Sequence, residues 1–269
     1  MRKGLCIVAF LVLAAQLPLL AYDTSPSLAQ VVPEAIWAAA TGGGTWVTEI
    51  QIVSLGIRAD YINAVFCYSG GSTGPFVVAT FLDPNKSVRF SNILSTLDAL
   101  DSSAFDYYGR VGSVLISTSG IGTMIHVQAR TVNGNYGKTF PGLNLIAGNS
   151  AGDARSMFIQ DLVQNATYRT SVGACNLNSG LVAVRFRIVD GDGVQVGNYF
   201  DKALLSMGFI SFNPFKEAGV PTGTYENCHL TVEVLTWGAT GFGVYCYGSI
   251  ANNSTNDTYA MLAKQYPVS

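Results

Sequence analysis

Residues Leu181 to Asp190 read LVAVRFRIVD. Val182, Val184, Phe186 and Ile188 share one parity, and Ala183, Arg185, Arg187 and Val189 share the other. Successive side chains of a strand point to opposite faces, so this spacing predicts a half-buried strand with both arginines on the outer face. The turn DGDG at Asp190 to Gly193 ends it. Further along, Leu230, Val232 and Val234 alternate with Thr231 and Glu233. Glycine-rich connections, STSGIGT from Ser117 and TWGATGFG from Thr236, supply the positive φ that hairpin turns need. DPNKS at Asp83 to Ser87 is another turn. A helical period occurs in SNILSTLDALDS, where Ile93, Leu94, Leu97 and Leu100 follow Ser91 as the expected cap.

The strand patterns recur. TWVTEIQIVSLG from Thr45 aligns with TYRTSVGACNLNSG from Thr167, AVFCYS from Ala64 with VRFRIV from Val184, and the stretch from Ser113 to Asn133 with that from Thr231 to Ala251. The offset drifts only from 122 through 120 to 118 residues. Three ordered matches with small drift point to a repeat. The fold expected is all-β: two tandem antiparallel β-sandwich units related by internal duplication. The first unit spans 22–148 and the second 149–269. Ile146 to Ser156, small and polar, reads as the linker, and Tyr22 to Gly44 as a leader that adds an edge strand to the first unit.

Residues 1–21 carry an export pattern: Arg2 and Lys3, an apolar run from Leu5 to Ala15, then Pro18 and the small Ala21 before Tyr22. The run is shorter than the ~20 residues that span a bilayer, so it reads as a cleaved signal and the mature chain carries no membrane span. Charged residues are 12% of the chain and the formal net charge is −2, which leaves no broad basic surface for nucleic acid. Cys67, Cys175, Cys228 and Cys246 lie beyond the signal, with no pair at zinc-ligand spacing. Sequence alone leaves their connectivity open. Alignment puts Cys175 at Val53 and Cys246 at Gln128, both off the core parity, and Cys67 at outward Arg187. The favoured disulfide is therefore Cys175 with Cys246.

WVTEI at Trp46 to Ile50 and YRTSV at Tyr168 to Val172, the latter followed by Asn176, fit a Trp-Arg-Thr-Asp-Leu opening strand. Arg130, Thr131, Asn133, Tyr136, Gly137 and Pro141 fit the ending of a first copy. Tyr247, Ser249, Asn252 and Asp257 fit that of a second, with Ala251 where Asp is usual. In these motifs the chain resembles an uncharacterised family of paired β-sandwich modules in secreted bacterial proteins. The resemblance implies a place at the cell surface or in the medium, and it implies no reaction.

Chemistry has few candidates. His126 and His229 sit at strand positions, and no Gly-x-Ser-x-Gly elbow accompanies them. The acids cluster in turns, where turn formation accounts for them. DGDG has alternate carboxylates but lacks the distal ligands of a calcium loop. Asn165, Asn252, Asn253 and Asn256 open glycosylation sequons, which a bacterial source would leave bare. No catalytic residue, metal or cofactor is expected. Aromatics near segment ends are the better lead: Trp37, and above all Tyr107, Tyr108 and Trp237 as binding residues. The expectation is a non-catalytic structural, adhesive or partner-binding protein, secreted or at the cell surface, that contacts an envelope or extracellular protein or glycan. The alternative is a carbohydrate-binding protein that uses exposed aromatics.

Overall fold

The computed structural model describes residues 20–21, 24–40, 43–119, 123–145, 155–236 and 241–267. It is an all-β protein of antiparallel sheets with two short helices. The strands of the N-terminal half are β1 (Leu20–Ala21), β2 (Ala29–Ala39), β3 (Thr45–Ser54), β4 (Asp60–Tyr68), β5 (Gly71–Leu82), β6 (Ser87–Phe90), β7 (Arg110–Thr118), β8 (Ile125–Asn133), β9 (Tyr136–Pro141) and β10 (Leu143–Asn144), with α1 (Ile93–Leu100) after β6. The C-terminal half has β11 (Arg155–Gln164), β12 (Tyr168–Asn178), β13 (Val182–Val189), β14 (Gln195–Leu204), β15 (Phe209–Phe212), β16 (Tyr225–Val234), β17 (Gly241–Asn252), β18 (Thr258–Leu262) and β19 (Lys264–Pro267), with α2 (Pro214–Glu217) after β15.

Strand order follows one pattern twice. β5-β4-β7-β2 and β6-β3-β8-β9 in the first half match β14-β13-β16-β11 and β15-β12-β17-β18 in the second. β10 pairs with β2 as β19 pairs with β11. The halves differ at one place. In the first, Trp37 to Ala39 of β2 pair with Thr45 to Val47 of β3 and join both sets into one nine-stranded sheet. In the second, the sets remain a six-stranded sheet, which also holds β1, and a four-stranded one.

The decisive strand behaves as its alternation requires. Val182, Val184, Phe186 and Ile188 are fully buried, while Arg185 and Arg187 lie on the outer face. Phe186 stacks on Phe200 at 5.4 Å and meets Phe212 edge-on at 4.9 Å, centroid to centroid. Arg185 makes a two-pronged ion pair with Asp201 across the β13–β14 ladder.

Two expectations require correction. The leader is no edge strand: β2 lies between β7 and β3, with Gln30, Val31, Val32, Glu34 and Ala35 all buried. Its Pro33 would break a regular central ladder, but the register shift between Val32 and Ala35 takes it out of pairing. The helix is capped by Asn92 rather than Ser91. The Asn92 side chain accepts from the Ser95 backbone N–H at 3.2 Å, the reach of a capping residue three positions ahead. The expected linker falls mostly outside the described residues, and β11 begins within its last two positions. Among the described residues no helix is long and apolar enough to cross a membrane.

The four-stranded sheet is a middle layer. Val172, Ala174 and Cys246 share its inner face, and Phe212, opposite Val172, joins Phe186 there. Gly173, Cys175, Tyr245 and Tyr247 share the other face, which packs on the N-terminal half. There Tyr245 donates to the Leu145 carbonyl at 2.7 Å and Tyr247 donates to Glu34. Lys138 completes the contact, 2.8 Å from Glu34 and 2.9 Å from the Ser249 hydroxyl. Burial and the Glu34 charge push the Tyr247 phenol well above its ordinary range.

Candidate functional site

Residues 27–28, 55–59, 118–119 and 123–124 meet at one end of the N-terminal half. The Leu55 N–H donates to the Met124 carbonyl at 2.8 Å, the Thr118 N–H to the Leu28 carbonyl at 3.0 Å, and the Ser119 N–H to the Tyr61 carbonyl at 3.2 Å. Phe81 reaches the same end because β5 pairs Leu82 with Asp60, and its ring lies 4.9 Å from that of Tyr61. Six large apolar side chains are thereby left in water together: Leu28, Leu55, Ile57, Tyr61, Phe81 and Met124. Ile57 is 86% exposed and Phe81 63%. Phe81 also has φ +54°, a left-handed conformation unfavourable to a bulky residue, at a register shift of β5. A monomer gains nothing by holding a phenyl ring in water on a strained backbone, whereas a contact surface does.

Elsewhere an open groove of about 610 Å³ lies beside the Asp190–Gly193 turn. It brings Asp161, Asp190, Cys228 and His229 to one place. Asp190 accepts from the backbone N–H groups of Asp192 and Val194, so its carboxylate closes the turn. His229 makes no hydrogen bond with either aspartate. Burial first, and the Asp190 charge second, push the Cys228 thiol up, away from the thiolate a nucleophile needs. Among the described residues no three His, Cys, Asp or Glu side chains are placed to hold a metal. His126 stands opposite Val53 in its ladder, half-buried.

The aromatics expected to bind fare unequally. Tyr107 is fully buried, and its hydroxyl is shared between Thr73 at 2.7 Å and Asp101 at 2.9 Å. Burial raises its pKa, with the Asp101 contact adding to the rise. It is a core residue, because the segment before β7 folds inward onto Phe66. Tyr108, the next residue, is 45% exposed and meets half-buried Trp37 edge-on at 5.4 Å. Trp237 lies outside the described residues. The structure does not bring Tyr108 to the apolar end: the Gly109 N–H donates to the Trp37 carbonyl, near the C-terminal end of β2, while Leu28 precedes the start of β2. Sequence reading missed the apolar end because its residues are scattered through four segments. Its signal was apolar residues inside turns, as in LGIRADY from Leu55.

The expected Cys175–Cys246 disulfide is not formed, and the four cysteines among the described residues are buried thiols. Cys175 stands opposite Tyr245 and Cys246 opposite Ala174. One residue out of register on neighbouring strands means opposite faces of the sheet, so the pair cannot bond without twisting a strand over.

No protein-family model and no curated protein matches the chain. Among solved structures, one of Thermotoga maritima 1070 is 16% identical with a TM-score of 0.33, over 44% of this chain and 95% of its own. One of the Gt strain of infectious bursal disease virus is 12% identical with a TM-score of 0.19, over 93% of this chain and 71% of its own. At these scores neither likeness bears on the fold or the function.

Proposed function

We propose that this is a non-catalytic partner-binding protein of the cell surface or medium, and that the apolar end around Ile57 and Phe81 is its contact surface. The observation that carries this reading is the exposure of six large apolar groups at one end, one of them on strained backbone. The described outer edge of β5 is a poor alternative, since Pro75 and three register shifts interrupt it. An apolar partner surface would cover Ile57 and Phe81, with the polar residues of the turns as a rim. Export is supported by the charge and apolar order of residues 2–21. Duplication of one ancestral unit is supported by the matched strand orders and by the paired threonines Thr48 and Thr170, which bond to the preceding strand in the same way. A glycan contact is favoured at one other point. Exposed Tyr168 and Tyr259 flank a cavity of about 210 Å³ that also holds Asp257.

The test uses Phe81→Asn and Ile57→Asp. Asn tolerates positive φ, so Phe81→Asn should hold or raise the melting temperature. Both variants should fail to retain the surface protein that the unaltered chain captures, and Tyr259→Ala should still capture it. Capture unchanged in both variants would defeat the assignment.

A further inference from the structure

We propose that the cleft between the two halves is a binding site for a sugar acid, with a free uronate as the simplest ligand. The cleft has a volume of about 300 Å³, at the lower end of the range that holds a small molecule. The N-terminal half gives it Glu34 and Ile36 of β2, Trp46 of β3 and Lys138 of β9. The C-terminal half gives it Arg169 and Ser171 of β12, Ser211 of β15, Ser249 of β17 and Thr258 of β18. It lies toward the opposite end of β2 and β3 from Leu28 and Leu55, apart from the apolar contact surface.

Sheet register builds the site. On β12, Arg169 and Ser171 have the parity of Gly173 and Cys175, the face that packs on the N-terminal half. Ser249 stands opposite Ser171, Ser211 opposite Gly173, and Ala251 lies between Arg169 and Thr258. One face of the middle sheet therefore passes from Tyr245 and Tyr247 to a group of hydroxyls that ends at a guanidinium. The tyrosines fill the space between the halves. The small side chains of Ser171, Ser211 and Ser249 leave it open farther along the same face.

Hydrogen bonding within the cleft selects the ligand's chemistry. Glu34 is committed: it accepts from Tyr247 and from Lys138, whose Nζ also donates to the Ser249 hydroxyl at 2.9 Å. Ser249 therefore keeps its own O–H to donate. The Ser171 and Ser211 hydroxyls share one hydrogen bond at 3.2 Å, which leaves one of their protons free. The Thr258 hydroxyl is buried and has no partner among the described residues, a state that costs stability until something binds it. Arg169 donates only to the neutral side chains of Asn253 and Asn256, both at 3.0 Å, so its charge has no acidic partner among the described residues. Glu34 and Lys138 neutralise each other. The cleft is left with the positive charge of Arg169 and a surplus of donors. A carboxylate fits the charge, and ring and hydroxyl oxygens fit the donors. Half-buried Trp46 supplies a flat apolar face for the C–H groups of a sugar.

The isotope-labelled full chain is titrated with D-glucuronate, D-glucose and inorganic phosphate at equal ionic strength, and amide NMR shifts are followed. Glucuronate should shift the amides of Ser171, Ser211, Ser249 and Thr258 saturably. Glucose and phosphate should each bind at least about tenfold more weakly. Arg169→Gln should weaken glucuronate by about tenfold. Thr258→Val keeps the shape and removes a hydroxyl that has no partner, so it should weaken glucuronate severalfold while the melting temperature holds or rises. Arg187→Ala, on the outer face of β13, should bind as the unaltered chain does. The proposal is overturned by the absence of a saturable shift in the cleft, by glucose or phosphate matching glucuronate, or by unchanged binding in Thr258→Val. If Arg169→Gln fails to fold, the Thr258 variant decides alone.

Discussion

Phe186 shows how much a single residue in a period-two strand contributes. It is fully buried between Phe200 and Phe212. Truncation to alanine removes the ring and leaves a cavity that two rigid aromatics cannot close. We expect Phe186→Ala to cost about 3–5 kcal/mol, read as a lowered denaturant midpoint with little change in slope. Arg187→Ala, one residue on and exposed, should change stability by less than about 0.5 kcal/mol. Equal losses at the two positions would reverse the face assignment. The motif residues of the opening strands likewise act locally. Asn176 donates to the carbonyls of Gly180, Leu204 and Leu205 and accepts from Asn178, so one buried amide gathers three chain segments.

At the scale of elements, Thr48 and Thr170 fasten each opening strand to the one before it. Thr48 accepts from the Ile36 N–H at 2.9 Å, and Thr170 from the Val163 N–H at 3.0 Å. Both hydroxyls are buried. Valine keeps the shape and removes the acceptor, which orphans a backbone donor. Thr48→Val and Thr170→Val should each cost about 1–3 kcal/mol by chemical denaturation. Costs that differ severalfold would argue against equivalent places in two copies of one unit. Strands, turns and the helix near Ser91 were legible because each follows from local spacing and turn chemistry. The central place of β2 was not, since Pro33 and the neighbouring glycine-rich stretch favour an edge, and only the register shift reconciles them with burial.

For the whole molecule, the decisive feature is the contact between halves. Glu34 and Lys138 form a buried ion pair, with side chains 8% and 10% exposed. Losing one partner strands the other charge, so Lys138→Met should destabilise by about 3–5 kcal/mol, and Glu34→Gln added to it should restore part of the loss. Thermal melts of both variants and the double check this. The raised phenols of Tyr247 and Tyr107 give a pH dependence. A raised folded pKa means that the protonated form is favoured by folding. That stability is complete below the unfolded value near 10 and is lost as pH rises toward the folded values. Melting temperature should fall steadily from about pH 10 upward, and Tyr247→Phe should flatten the fall. A flat profile in the unaltered chain would contradict the burial of these hydroxyls.

The sequence by itself determined which segments are strands, which face of each is apolar, and the order in which the patterns recur, because these depend on neighbours within a few residues. It also placed Cys67 outward from its own unit, opposite in kind to core positions such as Phe66. What outward meant was decided only in three dimensions. For Arg187 it is solvent; for Cys67 it is a fully buried place; for Glu34 and Lys138 it is the other half of the protein. The same holds for Val172 to Asn178, buried on both parities because their sheet has a layer on each side. Alternation specifies two faces but not what covers them. Covering is set by contacts between residues 100 or more positions apart, which no local pattern encodes.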